Sequence, residues 1–457
     1  MKVHFIAIGG SAMHNLAIAL HQKGYTVTGS DDEIFEPARS RLRKYGLLPS
    51  REGWDVGKIV STLDAIILGM HAKADNPELA EARKLGIPVY SYPEFLYQQS
   101  INKKRVVIGG SHGKTTITAM ILHVLNHYTI DADYMVGAQL EGFEVMVKLT
   151  EQAPVMIIEG DEYLTSALDP RPKFHVYQPD IGLISGIAWD HMNVFPTFDN
   201  YLEQFRQFVG LLPKDGCLVY CAEDLNVLNI ASDLSKDIIK FPYTLPAFHV
   251  VKGKTFLHTP AGDVPLKIFG RHNLLNLEGA RLVCEQLGIK REAFYDAIQS
   301  FAGASKRLET VVTGENTIIF KDFAHSPSKL RATIQAVKEQ YPDRRLTACF
   351  ELHTYSSLNK DFLPQYAHAM DEADTAIVFY GRHALELKRL DYFESNDVVN
   401  AFQRDDIKVF NDGENLQNYL LNEDWNHHNL LLMSSGNFFG MDLKYLSTHI
   451  IDFRGKS

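Results

Sequence analysis

The sequence predicts an α/β chain in three domains, and three observations carry that expectation. Strand-length apolar runs alternate with segments of helical periodicity along most of the chain. At 457 residues it exceeds what one core ordinarily serves. Glycine-rich strand-to-helix turns stand at Gly9-Gly10 and again at Gly109-Gly110, far enough apart to belong to separate sheets.

Lys2 to Ile8 is an apolar run, Gly9-Gly10-Ser11 turns, and Met13 to Lys23 reads as a helix stopped by Gly24. The strand Tyr25 to Thr28 then runs into Gly29-Ser30-Asp31. This is a β-α-β opening of Rossmann-like type, with an acidic residue about twenty positions past the glycines, where ribose is recognised. Met13 stands where a dinucleotide fingerprint would have its third glycine. Leu63 to Leu68 is a third strand, and His71 through Asn76 to Glu78 loads polar groups at its C-terminal end, where open α/β sheets bind ligands. A helix from Pro93 to Ser100 closes a first domain at residues 1–103, and the basic stretch Ile101 to Arg105 reads as the linker out of it.

The second domain, 104–303, opens with Val106 to Ile108 as a buried strand, followed by Gly109-Gly110-Ser111-His112-Gly113-Lys114-Thr115-Thr116 and an amphipathic helix. Strand, glycine loop and helix N-terminus make a phosphate cradle. The glycines expose N–H groups, Lys114 supplies a cation for a terminal phosphate, and the Thr115 hydroxyl suits Mg2+. The usual G-x-x-x-x-G-K-[ST] spacing would put glycine at position 108, where Ile108 stands. Lys114 is expected to emerge from a solvent-facing loop. The apolar strand Val155 to Ile158 ends in Glu159-Gly160-Asp161-Glu162, and a carboxylate there beside a phosphate loop is how such enzymes hold a metal. Ile181 to Ser185 leads to Asp190-His191, an imidazole able to complete a metal shell. Phe248 to Thr259 and Val264 to Phe269 read as short antiparallel pieces, and Gly270 to Asn276 opens a helix.

Residues 304–309 read as a hinge into a third domain, 304–457, where alternating segments predict another largely parallel, Rossmann-like sheet. Its strand ends carry Asp322-Phe-Ala-His325-Ser-Pro327, Glu351-Leu-His353 and Ser434-Ser435-Gly436-Asn437.

A net charge of −10 argues against nonspecific nucleic-acid binding. No apolar run approaches a membrane span, and Met1 to Gly10 passes into a strand-like run without a cleavable apolar stretch, so no membrane insertion and a cytoplasmic setting are expected. Cys217, Cys221, Cys284 and Cys349 lack paired metal spacing and read as reduced packing residues.

Taken in order, the glycine loop, Glu159-Gly-Asp-Glu-Tyr163, Asp190-His191, Gly270-Arg-His-Asn-x-x-Asn276, Arg307 and Asp322 to Pro327 resemble the Mur ligases of peptidoglycan synthesis, over essentially the whole chain. The resemblance implies a three-domain, ATP- and Mg2+-dependent ligase, and it implies roles. Gly110, Ser111, His112, Gly113, Lys114, Thr115 and Thr116 would bind ATP, with Asn273 at adenine and Arg307 and Asp322 at the phosphates and ribose. Thr115, Glu159 and His191 would hold metal, and Lys114, Glu159 and His191 would be catalytic. Gly9, Gly10, Ser11, Ser30, Asp31, His71 and Asn76 would hold UDP-N-acetylmuramate. His325, His353 and Asn437 would meet a short peptide or amino-acid acceptor, with Asn359, Lys360 and Arg382 nearby. The run Met433 to Gly440 is more similar to the recycling branch, which attaches L-Ala-γ-D-Glu-meso-diaminopimelate, than to the L-alanine-adding branch, which is the alternative. Gly186 and Ala188 depart from the polar residues usual before Asp-His. A nicotinamide dehydrogenase on the Gly9-Gly10 turn, or a nucleotide-regulated binding protein, would need the Lys114 loop to be idle or merely regulatory.

Overall fold

The computed structural model describes all residues except 71, 139–142, 144, 190–193, 305–306, 389 and 453–457. They fall into two compact units. One comprises Met1–Trp189, Asn193–Thr244 and Asn276–Ala297, and the other includes Leu245–Leu275 and Ile298–Ser457.

Among the described residues the first unit holds two largely parallel sheets and a two-stranded antiparallel one, Leu164–Ser166 with Asp169–Pro172. The N-terminal one is parallel, in the order Thr26–Ser30, Lys2–Ile6, Ala65–Leu68, Val89–Ser91. The helix Ser11–Gln22 starts directly after the glycine turn and buries Leu16, Ala17 and Leu20. The central sheet runs Ile239–Tyr243, Cys217–Cys221, Ile181–Ile184, Lys104–Gly109, Val155–Glu159, Asp133–Met135, Val147–Lys148, and only the last strand is antiparallel. Later strands lie on both sides of Lys104–Gly109. That strand is therefore the topological switch point, outside whose carboxyl end an α/β sheet binds its ligand.

Within Ile101 to Arg105, the expected linker, two of the three basic residues are bound by the unit. Lys104 already opens the switch-point strand. Lys103 is buried, with its ammonium donating to Asp133 Oδ2 at 2.7 Å, Thr150 O at 2.7 Å and Ala153 O at 3.0 Å. Arg105 binds Asp180 and the Gln178 carbonyl and lies over the Tyr97 ring. Lys103 and Arg105 are counter-ions of Asp133 and Asp180, while Lys104 is exposed. One apolar cluster joins Phe5 of the N-terminal sheet and Leu16 and Phe95 of the helices on it to Val107 and Ile158 of the central sheet and to Phe174 and Tyr177 beside it. Met146 N donates to Asn15 Oδ1 across the same seam at 3.0 Å.

The second unit has a six-stranded sheet in the order Glu309–Thr313, Ile318–Asp322, His428–Met433, Arg345–Leu352, Thr375–Tyr380, Lys408–Phe410, parallel except for its first edge strand. The expected alternation is present, and the antiparallel edge is an addition. A separate three-stranded antiparallel sheet contains Phe248–Val251, Lys254–Thr259 and Gly262–Leu266. Gln340 of the helix Pro327–Gln340 ties it down, accepting from Thr255 Oγ1 at 2.9 Å and donating to Gly253 O at 2.7 Å. All four cysteines are free and buried. Among the described residues no helix is long and apolar enough to cross a membrane.

Candidate active site

The switch-point strand ends at Gly109, and the loop after it needs backbone that only glycine adopts comfortably. Gly110 has φ +127° and Gly113, which caps the helix Lys114–His127, has φ +79°. A Cβ at Gly113 would overlap the Asn276 amide. The loop is held from the neighbouring strand end: Ser111 N donates to Gly186 O at 2.9 Å, Ser185 Oγ donates to His112 O, and Ala188 N donates to Ser111 Oγ at 3.0 Å. Gly186 and Ala188 thus support the loop through their backbones. Thr116 is buried in the first helical turn.

Lys114 does not point into solvent as expected. Its ammonium donates to Gly110 O and to Glu162 Oε2, both at 2.7 Å. Burial alone would lower its pKa, but the Glu162 and Asp161 charges outweigh that and leave it raised. Glu162 also accepts from the Tyr201 hydroxyl at 3.3 Å, and that hydroxyl lies 2.8 Å from Ser111 Oγ. A buried chain of polar contacts therefore runs from Ser111 through Tyr201 and Glu162 to Lys114. Sequence reading placed Glu162 in the acidic strand end without assigning it to Lys114, and it did not single out Tyr201.

Thr115 and Glu159, the residues expected to hold a metal, are brought together. Thr115 Oγ1 donates to Glu159 Oε1 at 2.8 Å, and Gly137 N donates to Oε2 at 2.7 Å. Burial, then the nearby Asp161 charge, raises the Glu159 carboxyl above its usual range. A buried carboxylate beside a second carboxylate and a hydroxyl is a hard-oxygen donor set in need of positive charge, which fits Mg2+. His191 and Asp190 lie outside the described residues.

In the N-terminal sheet Gly9 N donates to Asp31 Oδ2 at 2.6 Å, so the predicted ribose acid clamps the glycine turn, with Gly10 at the cap of the helix that Ser11 begins. Ser30 is buried and its Oγ accepts from Lys58 Nζ at 3.2 Å. Asn76 caps the helix Pro77–Lys84, accepting from Glu78 N and Leu79 N. His71 lies outside the described residues.

In the second unit Asp322 ends its strand and accepts from Leu308 N at 2.5 Å and Ala324 N at 2.7 Å, which brings it beside Arg307. The Arg307 guanidinium lies 4.7 Å over the Phe323 ring. Asn273 is buried and donates to Phe269 O at 2.9 Å. The acceptor candidates converge in part. Glu351 Oε2 accepts from Ser434 Oγ and from Phe438 N, joining two strand-end loops, while His353 lies within 4.0 Å of Glu351 and packs against Gly436. Asn437 Oδ1 accepts from Gly440 N at 3.2 Å. His325 Nδ1 donates to Phe323 O at 2.9 Å, on the loop after Asp322. Lys360 pairs with Asp397 at 3.0 Å, and Arg382 opens the helix Arg382–Lys388. A cavity of about 490 Å³ is lined by His383, Asp412, Glu414, Phe438 and Gly440 among others.

A phosphate loop at the switch point of an α/β sheet, with a strand-end carboxylate against its threonine, defines a nucleoside-triphosphate-using enzyme. Sequence profiles narrow the class. Residues 2–104 match the Mur ligase family catalytic domain, 108–284 the Mur ligase middle domain and 306–436 the Mur ligase glutamate ligase domain. The chain is 31% identical over 388 residues, 82% of each chain, to a UDP-N-acetylmuramate–L-alanine ligase of a Sulfurihydrogenibium species. It is similar in fold to a UDP-N-acetylmuramate-alanine ligase from Thermotoga maritima (TM-score 0.70, 21% identity, 100% of both chains). It is also similar to a murein peptide ligase from Psychrobacter arcticus (TM-score 0.64, 22% identity, 98% and 99% covered). The chain belongs to the Mur ligase family, three-domain ATP-dependent acid–amino acid ligases of peptidoglycan synthesis.

Proposed function

We propose that this chain joins the lactyl carboxylate of UDP-N-acetylmuramate to the amine of L-alanine, with ATP hydrolysed to ADP and phosphate. The observation that carries this reading is the 31% identity, over 82% of each chain, to a UDP-N-acetylmuramate–L-alanine ligase. A second reading, with L-Ala-γ-D-Glu-meso-diaminopimelate as acceptor, is supported by the run Met433 to Gly440 and by the cavity of about 490 Å³ beside it, a volume suited to a ligand larger than one amino acid. Domain boundaries at 103/104 and 303/304 belong to the same proposal, as do the nucleotide, donor and acceptor contacts assigned to individual residues.

The lactyl carboxylate attacks the γ-phosphorus, giving an acyl phosphate and ADP. The acceptor amine then attacks the acyl carbon, phosphate leaves, and the amine gives up a proton. Lys114 and the N–H groups of the Gly110 to Gly113 turn, other than that of Ser111, which is held by Gly186 O, offset charge gathering on the transferred phosphoryl group. Thr115 and Glu159 would hold Mg2+, whose charge neutralises phosphate oxygens. Tyr201 and Glu162 orient the Lys114 ammonium through the contacts described above.

Incubation with ATP, Mg2+, UDP-N-acetylmuramate and equal L-alanine and tripeptide, read by product mass, tests the proposal. The expected product is the alanine adduct. Exclusive formation of the tripeptide adduct would move the assignment to the second reading. Phosphate release that ignores added amine would remove both.

A further inference from the structure

The small antiparallel sheet carries a cluster that the ligase reaction does not use. Its register sets His258 directly across from Asp263 and His249 across from Phe256, so His249 lies diagonal to His258 on the same face. One potential ligand atom from each of His249, His258 and Asp263 lies within 4.8 Å of the other two. His249 Nδ1 is 3.2 Å from His258 Nε2, His258 Nδ1 is 2.6 Å from Asp263 Oδ1, and His249 Nε2 is 3.8 Å from Asp263 Oδ2. The His249 ring stacks on His258 at 4.7 Å and on Phe256 at 5.2 Å, which restricts it before any ligand arrives.

We propose that His249, His258 and Asp263 bind a borderline transition-metal dication, with Zn2+ as the reference ion. The distances among the three side chains involve both ring nitrogens of each histidine, whereas an ion takes one from each. With one atom per residue the set lies within 4.8 Å, so the side chains would draw in toward the roughly 3.3 Å between ligand atoms of tetrahedral Zn2+ with bonds of about 2.0–2.1 Å. Two imidazoles and one carboxylate select Zn2+, Ni2+ or Cu2+ over Mg2+. The site is thus chemically distinct from the hard-oxygen pair Thr115 and Glu159. Three protein ligands on a partly exposed face leave a fourth position for water. Because each ligand comes from a different strand, the ion would clamp all three strands of this sheet.

The test uses the full-length protein stripped with chelator, then titrated with ZnCl2 against a chromophoric competitor. The wild type should bind one more equivalent than His258→Asn, with affinity at this position weakened at least about tenfold in Asp263→Asn. Nitrogen-15 spectra should show Zn2+ perturbing the imidazoles of His249 and His258, and Zn2+ should raise the wild-type melting temperature more than that of His258→Asn. Circular dichroism establishes that both variants fold. Equal zinc stoichiometry in wild type and folded variants, with unperturbed imidazole signals, would overturn the site and leave the cluster a proton-sharing network.

Discussion

Lys114 and Glu162 form a 2.7 Å ion pair beneath the glycine loop, 48 residues apart in sequence and both largely withdrawn from solvent. The cation assigned to ATP is therefore also the counter-charge of a buried carboxylate, and its substitutions carry two separable effects.

Lys114→Met should lower turnover by about a hundredfold or more and destabilise the protein by about 3 kcal/mol, because the buried Glu162 carboxylate loses the Lys114 ammonium. Adding Glu162→Gln should recover most of the stability and none of the activity. Urea unfolding of the single and double variants, alongside ATP turnover, separates the two. A double variant no more stable than Lys114→Met would deny the coupling.

Tyr201→Phe removes the hydroxyl between Ser111 and Glu162. The expected cost is about 1–2 kcal/mol of stability, with a raised KM for ATP as the Lys114 partner loses its orientation. An unchanged KM and melting temperature would show that the contact chain does not position Lys114.

Lys103→Met should destabilise by about 3–5 kcal/mol, since the Asp133 carboxylate would lose its buried cation. Chemical denaturation of the full chain measures it. A cost typical of a solvated lysine, well under about 1 kcal/mol, would show that Lys103 is not needed as the Asp133 counter-ion.

Acid should weaken the fold first through buried imidazoles. Burial, only partly opposed by a bond to Asp424 O, holds His428 below its ordinary value of 6.5, and burial lowers His272 too. Their folded pKa values are depressed, so the unfolded chain binds more protons below about 6.5. Stability is then fully present above that pH and falls as pH drops, by up to about 1.4 kcal/mol per unit per histidine. His428→Gln, compared with wild type by urea midpoints at pH 7.5 and 5.5, should show the smaller loss. Parallel losses would mean His428 does not contribute.

The sequence displayed what is local. Val106 to Ile108, the glycines and the helix after Lys114 are contiguous, and the Val155 strand carries its carboxylate at its own end, so Thr115 and Glu159 could be matched before any sheet order was known. What stayed hidden depends on which strands are neighbours. Lys103 meets Asp133 because Val155–Glu159 lies between their strands in the sheet. Nothing in a row of basic residues distinguishes the buried Lys103 from a solvated neighbour such as Lys104. The His249, His258 and Asp263 cluster needs a register that alternation alone does not fix. The Phe248 to Phe269 pieces were legible as antiparallel, but not as one three-stranded sheet held by Gln340.

The shared apolar cluster and the Asn15 to Met146 bond bear on chimera construction. Exchanging residues 1–103 for those of a relative, as a cassette to transplant donor preference, would set a foreign Phe5, Leu16 and Phe95 surface against the resident Val107 and Phe174 side, and would separate Lys103 from Asp133. A graft that respects the packing has to carry both sheets together. Acceptor preference, expected in the second unit, can instead be exchanged with the seam untouched.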